Sequence, residues 1–245
     1  MSPSIHDTGG YMGTTADYPT VLPGPVITSG LQLYLDAGIS TSYSGTGSTW
    51  TDLSGNGNNF TIYNSPTWSS SNGGRFTLNG TNQYFSTSGF ANFTSGFTVF
   101  SICNLGTGSS WERIMDFGSG QYSDNIYFAR QETGTILLFG LIEGSTDRGT
   151  ITNATGVLNS TVASYAATLN GSTGSLYRNG SLITGPTSFP YLPRNVTRSN
   201  CYIGRSNWND AYFETTMSVI MIYNRGLTAD EISQNHNFFK GRFGI

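Results

Sequence analysis

The chain has 245 residues and a formal net charge of −3, and only 10% of its residues are charged against roughly 25% in a typical globular domain. It is rich in Gly, Ser, Thr and Asn, whose side chains favour turns or compete for backbone hydrogen bonds, so a mostly helical protein is excluded. Aromatic residues at 13% argue against disorder, the single lysine leaves no basic stripe for nucleic acid, and no apolar run is long enough to span a membrane.

Residues 1–28 differ from the rest of the chain because they contain four prolines and show no apolar periodicity. Proline fixes φ and restricts its predecessor, so we expect an extended arm here and a single domain over residues 29–245. A disordered terminus is the alternative, but the arm carries side chains that can dock on a neighbouring molecule. These are Tyr11, Tyr18, Val21 and Leu22. The first residues lack the basic and apolar regions of a signal peptide, which favours a protein made in the cytoplasm.

Short strands are predicted from Leu31 onward. Leu31, Leu33 and Leu35 alternate with polar neighbours, as expected of a strand buried on one face. Eleven further short runs follow, separated by turn residues. They span residues 75–78, 83–86, 97–103, 113–117, 125–129, 135–143, 161–169, 175–178, 181–184, 201–204 and 213–223. This pattern predicts an all-β protein built as a sandwich or a barrel.

Two Asn-Gly pairs predict tight turns. Asn179-Gly180 separates two short strands and predicts a type I′ hairpin, which needs positive φ at both central residues. Asn79-Gly80 also suits a hairpin.

One helix is predicted near the C-terminus. Thr228 and Glu231 form a capping box, Ile232, His236 and Phe239 recur at helical spacing, and Gly241 is predicted to end the helix.

The two cysteines, Cys103 and Cys201, fit neither a metal-binding nor a redox spacing. Two buried free thiols are favoured over a disulfide.

Several segments in a fixed order carry a family resemblance. They are residues 30–37 (GLQLYLDA), 50–59 (WTDLSGNGNN), 76–85, 97–101, 175–180, 202–205 and 219–232 (VIMIYNRGLTADEI). Together they resemble the laminin-G-like, concanavalin-A-like lectin/glucanase superfamily. The resemblance implies an antiparallel jelly-roll β-sandwich, here with one short C-terminal helix. Such domains occur in adhesins, carbohydrate-binding modules, glycosidases and virion proteins of tailed phages, and the fold alone does not choose among them.

Catalytic residues are not evident in the sequence. The glucanase branch of the superfamily places alternating acids on one strand, and no glutamate here has an acid two residues later. Glu112 and Asp116 come nearest, but on one strand their Cα atoms would be about 13 Å apart. We therefore expect two solvated or paired acids. His6 and His236 lie beside no identifiable nucleophile, so the chain is expected not to be an enzyme.

A sugar-binding loop is the strongest ligand candidate. Trp208 lies among Asn207, Asn209 and Asp210, and a sugar can lie on an aromatic ring while amides and carboxylates bind its hydroxyls. The alternative is that Trp208 covers the edge of the sandwich or contacts a neighbouring subunit. The other three tryptophans are interpreted as core or edge residues. They are Trp50, Trp68 and Trp111.

A calcium site would need several converging oxygen ligands. Asp116 with Asp124 and Asn125, or the loop-proximal Asp36 and Asp52, would be the ligands, but no Asp-x-Asp spacing supports them. We expect no cofactor and no metal site, and calcium stays open as an alternative.

The first functional hypothesis is a non-enzymatic structural protein on the virion surface, such as a capsid decoration or tail-associated protein. Its partners would be other virion proteins or copies of itself in an oligomer, with no nucleic acid and no membrane. The alternative is an extracellular or cell-surface carbohydrate-binding module or adhesin that binds glycans. A glycosidase is the least favoured class.

Overall fold

The computed structural model describes residues 24–90, 92–105, 109–153, 156 and 158–245. The predicted docking residues of the arm, Tyr11, Tyr18, Val21 and Leu22, lie outside this part of the chain. The described residues form sixteen strands and one helix. The strands are β1 (Leu31–Asp36), β2 (Thr49–Trp50), β3 (Phe60–Tyr63), β4 (Thr67–Ser69), β5 (Arg75–Asn79), β6 (Tyr84–Thr87), β7 (Phe97–Asn104), β8 (Arg113–Gly118), β9 (Ile126–Arg130), β10 (Leu137–Glu143), β11 (Thr146–Thr152), β12 (Val162–Asn170), β13 (Thr173–Arg178), β14 (Ser181–Ser188), β15 (Asn200–Ile203) and β16 (Glu214–Tyr223), and the helix is α1 (Ala229–Phe243).

The strands form two antiparallel eight-stranded sheets. Sheet I has the order β14-β13-β12-β7-β16-β5-β4, and β1 pairs with the C-terminal half of β16. Sheet II has the order β11-β10-β9-β8-β15-β6-β3-β2. The predicted antiparallel jelly-roll sandwich is therefore confirmed. The strand pattern alone did not predict β2, β3, β4 and β11, of which three have four residues or fewer and the fourth is an exposed edge strand.

The main core lies between the two sheets. Alternate residues of each strand point inward, as period-two geometry requires. In β7 these are Phe97, Val99 and Cys103, and in β15 they are Cys201 and Ile203. Both cysteines are buried free thiols, as predicted, and burial raises the pKa of each to about 12.

Helix α1 packs on the outer face of sheet I, where Ile232 and Phe239 contact the outward residues of β7 and β16. The Thr228–Glu231 capping box is present as predicted. The predicted end at Gly241 is wrong, because the helix continues to Phe243 and ends at Gly244, whose φ is 68°. A Cβ at Gly241 would meet nothing, so that glycine is simply tolerated inside the helix. No helix in the described residues is long and apolar enough to cross a membrane.

Strand β1 is buried on both faces, which corrects the prediction of a strand buried on one face. Leu33 and Leu35 lie in the core between the sheets, whereas Tyr34 belongs to the cluster under α1. Asp36 is fully buried and pairs with Arg242 of the helix. The polar residue Asp36 on β1 is therefore explained by its ion pair with Arg242 and not by contact with water.

The two Asn-Gly pairs have different outcomes. Asn179 and Gly180 have φ of 48° and 73° between β13 and β14, which confirms the hairpin. The hairpin prediction at Asn79-Gly80 is wrong, because β5 lies in sheet I and β6 in sheet II. The Asn79 side chain instead accepts the backbone N–H groups of Thr81 and Asn82 in a turn that crosses between the sheets.

Residues 24–28, the described end of the predicted arm, have no regular secondary structure and lie against α1. Ile27 donates its N–H to Asn235 Oδ1 (2.8 Å), and its carbonyl accepts from the Tyr223 hydroxyl (3.0 Å). Gln234 Nε2 donates to the Pro25 carbonyl (2.7 Å). The chain thus approaches the domain on the outer side of sheet I.

Candidate functional site

A small pocket of about 190 Å³ lies on the outer face of sheet II, the face that α1 does not cover. Four aromatic residues, an arginine, an isoleucine and two acids line it. These are Trp111, Arg113, Tyr122, Tyr127, Ile142, Asp147, Trp208 and Asp210. Because ligand pockets for drug-sized molecules are roughly 300–1,000 Å³, this one suits a single small ring.

Loops and strands both contribute aromatic rings to the pocket. Trp111 precedes β8 with a φ of 60°, and Tyr122 lies in the β8–β9 connection with a φ of 51°. Tyr127 on β9 lies across its cross-strand partner Gly140, where an added Cβ would come within 2.2 Å of the Tyr127 ring. The glycine gives the ring the space it needs to lie on the sheet. Tyr122 and Tyr127 both meet Trp208 edge to face, with centroid distances of 5.3 and 5.8 Å.

Arg113 contacts three of the four aromatic rings of the pocket. Its side chain is almost completely buried, and its guanidinium carbon lies 5.0 Å from the Tyr127 centroid and 5.7 Å from the Trp111 and Trp208 centroids. Rings attract a cation through their electron-rich faces, more strongly when it is desolvated. The guanidinium also donates to Asp210 Oδ2 (2.8 Å) and to the Trp111 carbonyl (2.7 Å).

Asp116 on β8 fixes the loop that carries Trp208. Its buried carboxylate accepts the backbone N–H and the side-chain amide of Asn207, both at 2.9 Å, and the side-chain amide of Asn125 at 3.1 Å. Burial raises the pKa of Asp116, while the nearby Arg113 guanidinium acts to lower it. One carboxylate thus ties β8 and the connection before β9 to the loop that carries Trp208.

Ser206 completes the fixed geometry of this loop. Its hydroxyl donates to Asp210 Oδ2 (2.9 Å) and accepts the Trp208 N–H (3.0 Å). The position of the Trp208 ring is therefore set by side chains on both sides of it in the sequence.

The structure brings together only part of the predicted sugar-binding loop. Trp208 and Asp210 line the pocket. Asn207 turns inward to Asp116, and Asn209 is exposed and not part of the pocket lining. Neighbours in a loop point in different directions, so closeness in sequence did not make these four residues one site.

Sequence reasoning missed the other side of the pocket. Trp111, interpreted as a core or edge residue, forms part of the pocket wall, and Arg113 and Tyr127 were not singled out. Alternation along the run 125–129 places Tyr127 opposite the core residues Ile126 and Phe128, and this was the available signal. Sequence could not show that α1 covers the outer face of sheet I and not this one.

The two acids weighed as catalytic candidates are paired, one of the two outcomes that we expected. Glu112 is fully buried, lies 3.3 Å from Arg130 Nε, and accepts the Glu214 N–H at 3.0 Å. Burial raises its pKa. Glu112 and Asp116 have separate sets of partners, so they do not face a shared cleft.

One histidine prediction needs correction, because His236 does lie beside a hydroxyl. Its Nδ1 is 3.0 Å from Ser164 Oγ. Ser164 is only 1% exposed, so a substrate cannot reach that oxygen, and the pair instead joins α1 to β12. His6 lies outside the described residues.

The acids considered for calcium are engaged with protein groups. Asp52 accepts the backbone N–H groups of Tyr34 (2.9 Å) and Ser54 (2.8 Å), and Asp124 accepts that of Gly144 (2.8 Å). In the part of the chain that the structure describes, no three His, Cys, Asp or Glu side chains are grouped so that they could hold a metal ion.

A family model described as the concanavalin A-like lectin/glucanases superfamily matches residues 78–233. The chain belongs to this superfamily. The matched residues run from β5 into α1 and include the whole pocket, so the lectin-like domain contains the site. Comparison with curated proteins gives no significant match.

Solved structures share the lectin-like fold at low identity. The binding domain of botulinum neurotoxin serotype G is 15% identical with a TM-score of 0.66, over 83% of this chain and 50% of that one. Domain 4 of AbnA, an extracellular GH43 arabinanase from Geobacillus stearothermophilus in complex with arabinotriose, is 13% identical with a TM-score of 0.63, over 84% and 98%. Trypanosoma rangeli sialidase in complex with sialic acid is 16% identical with a TM-score of 0.60, over 89% and 34%. The chain thus spans half the length of the toxin chain and about a third of the sialidase.

Proposed function

We propose that this lectin-like domain binds carbohydrate, with one sugar ring seated in the pocket at Trp208. The observation that carries the proposal is the grouping of four aromatic rings and two carboxylates around a small cavity on the face of the sandwich that α1 does not cover. The predicted alternative function, a carbohydrate-binding module or adhesin, is therefore the one that the geometry favours.

The chemistry of the lining suits a sugar. Aromatic rings offer apolar faces to the C–H groups of a pyranose or furanose, and carboxylates accept its hydroxyl protons. Asp147 is exposed, and Asp210 is partly exposed at the pocket wall. Domain 4 of AbnA, which shares the fold, was solved with arabinotriose, and this supports carbohydrate binding by analogy.

We propose that the domain binds without catalysis. Glycosidases place two carboxyl groups on either side of the scissile bond. Glu112 and Asp116 are both buried and held by arginine and backbone groups, so neither is free for that role.

The first prediction is that Trp208→Ala removes binding on an array of neutral and acidic glycans. Loss of the central ring is expected to lower affinity at least about tenfold, equivalent to about 1.4 kcal/mol. Titration calorimetry with the best array glycan measures the change. Phe238→Ala is the matched control, because it removes an exposed aromatic ring of α1 on the opposite side of the domain.

Equal loss in both variants would contradict the pocket assignment, and an array with no hits for the intact chain would contradict carbohydrate binding. The virion-surface role remains a prediction, because the arm residues that would support it lie outside the described part of the chain.

A further inference from the structure

A second aromatic cluster lies on the same outer face of sheet II as the pocket. It consists of Arg205 and the rings of Tyr84, Tyr202 and Tyr212, with Tyr63 stacked on Tyr84, and we refer to it as the Arg205 cluster. None of its members lines the pocket.

The cluster is ordered around the arginine and reaches solvent. The Arg205 guanidinium carbon lies 4.8 Å from the Tyr84 centroid, 4.6 Å from that of Tyr202 and 5.9 Å from that of Tyr212. Tyr63 and Tyr84 stack in parallel at 4.6 Å, and Tyr63 is 40% exposed. Tyr84 and Tyr202 meet edge to face at an interplanar angle of 90°, so these residues form a partly exposed cluster of differently oriented rings around one cation.

Arg205 differs from most arginines of the domain in its charge pairing. Six others pair with a carboxylate: Arg113, Arg130, Arg148, Arg194, Arg225 and Arg242. Within the described residues Arg205 has no ion-pair partner and is neighboured by rings instead. Rings attract the cation but do not neutralise it, so a site for an anion remains.

The cluster lies close to the pocket. Tyr202 pairs with Asp116, and Asp116 pairs with Tyr127, so cluster and pocket lie two strand spacings apart, roughly 10 Å. The connection between β15 and β16 supplies both, since Arg205 and Tyr212 point to the cluster and Trp208 points to the pocket. A short oligosaccharide that crosses the strands would contact the two together.

We propose that the Arg205 cluster binds a carboxylate-bearing sugar residue of the same glycan that places another of its rings in the pocket. The proposal rests on the carbohydrate-binding function proposed above. A planar carboxylate matches the two parallel N–H groups of a guanidinium, and the tyrosine rings offer the sugar an apolar face. The ligand is thus an acidic oligosaccharide that contains uronic or sialic acid.

The test uses matched acidic and neutral glycans, namely trigalacturonic acid with its neutral trigalactose counterpart and sialyllactose with lactose. We expect the wild-type chain to prefer the acidic member of at least one pair. Arg205→Gln should lower acidic affinity about tenfold and leave neutral affinity within about twofold, because only the acidic ligand uses the charge-assisted bonds. Arg75→Gln, which removes one positive charge from β5 of sheet I, is the matched control.

Each outcome decides the proposal. A wild-type chain without acidic preference, or an Arg205→Gln variant that binds like Arg75→Gln, overturns it, while loss of binding in Trp208→Ala would still support the pocket. Should Arg205→Gln not fold by circular dichroism, Arg205→Lys replaces it. That variant keeps the charge without the planar fork, and undiminished acidic preference would overturn bidentate binding. Acidic binding that survives in Arg205→Gln also overturns the proposal, and a wild-type dimer that becomes a monomer in this variant by size-exclusion chromatography would assign the cluster to protein contact instead.

Discussion

Asp116 connects the core of sheet II to the surface loop at the pocket. Its carboxylate is fully buried, yet it accepts three hydrogen bonds from two connections. Two come from Asn207, which follows β15, and one comes from Asn125, which precedes β9. It acts as a positioning residue, because it does not line the pocket but holds the residue next to Trp208.

We predict that Asp116→Asn lowers both stability and glycan affinity. One acceptor oxygen becomes a donor that faces other donors, and loss of charge-assisted bonds costs about 1.5–3 kcal/mol of unfolding free energy. The loosened loop should weaken binding by about 1 kcal/mol, or about fivefold. Urea unfolding and calorimetry measure the two effects.

Asp52→Asn is the control for this prediction. Asp52 also accepts backbone N–H groups in a turn, but its partners are Tyr34 and Ser54 in another part of the domain. This variant should lose stability and keep its affinity. If both variants lost affinity equally, the positioning role of Asp116 would be wrong.

Single residues were predictable where their chemistry is unusual. Trp208 among polar neighbours stood out in the sequence, and the structure places it in the pocket. Arg113 could not be found in this way, because two of the three rings around it, Tyr127 and Trp208, come from β9 and from the connection before β16. An arginine gives no sequence signal of the aromatic faces that surround it.

At the scale of elements, α1 has a well-defined start. The Thr228 hydroxyl accepts the Glu231 N–H, the Glu231 carboxylate accepts the Thr228 N–H (2.9 Å), and Arg225 pairs with the same carboxylate (2.7 Å). Asp230 and Glu231 in the first turn also suit the positive end of the helix dipole.

We predict that Thr228→Ala lowers the free energy of unfolding by about 1 kcal/mol, the usual cost of losing an N-cap side chain. Urea unfolding monitored by circular dichroism measures it. Ser233→Ala, inside the same helix, should be neutral or slightly stabilising, because alanine has the higher helix propensity. A loss in Ser233→Ala as large as that in Thr228→Ala would show that the cap is not the cause.

Elements were predictable where one local rule acted alone. The capping box and the Asn179-Gly180 turn satisfy backbone groups within a few residues, so sequence sufficed. Asn79-Gly80 shows the limit, because an Asn-Gly turn forms equally well whether the next strand joins the same sheet or the opposite one. That choice depends on how the two sheets pack.

At the scale of the whole molecule, His236 joins the helix layer to the sandwich. The ring bonds Ser164 of β12 at a sequence separation of 72 residues and is 8% exposed. Burial lowers the pKa of His236 from its usual 6.5, and the charge of Lys240 lowers it further.

We predict that the free energy of unfolding decreases as the pH is lowered below about 6.5. A depressed pKa in the folded state means that the unfolded chain binds the proton first. The stabilising contribution is therefore complete above pH 6.5 and is lost as the pH falls through the folded-state pKa. The slope contributed by one group reaches at most about 1.4 kcal/mol per pH unit. Urea unfolding between pH 7.5 and 5 measures it.

His236→Gln should reduce this slope, because it removes the titrating group. Lys240→Gln should reduce it partly, because His236 without the nearby positive charge takes up its proton at higher pH. If His236→Gln kept the full wild-type slope, another group would be responsible.

The architecture as a whole was predictable from strand alternation and the ordered motifs, but the layers were not. Alternation in β1 predicted one buried face, and the structure has two because α1 covers Tyr34. The outward residues of β9, Tyr127 and Ala129, are also buried, but beneath the pocket tryptophans Trp111 and Trp208 and not beneath a helix. Contacts between distant segments decide which face of the sandwich a helix covers. The alternation of residues along a single strand carries no information about those contacts.

Residues 24–28 show on which side of the domain the described part of the chain begins. These residues run beside α1, on the opposite side of the sandwich from Trp208 and Arg205. The face that carries Trp208 and Arg205 therefore lies on the side of the domain away from residues 24–28. A partner that covers residues 24–28 and α1 and a glycan bound at Trp208 would therefore contact opposite sides of the domain.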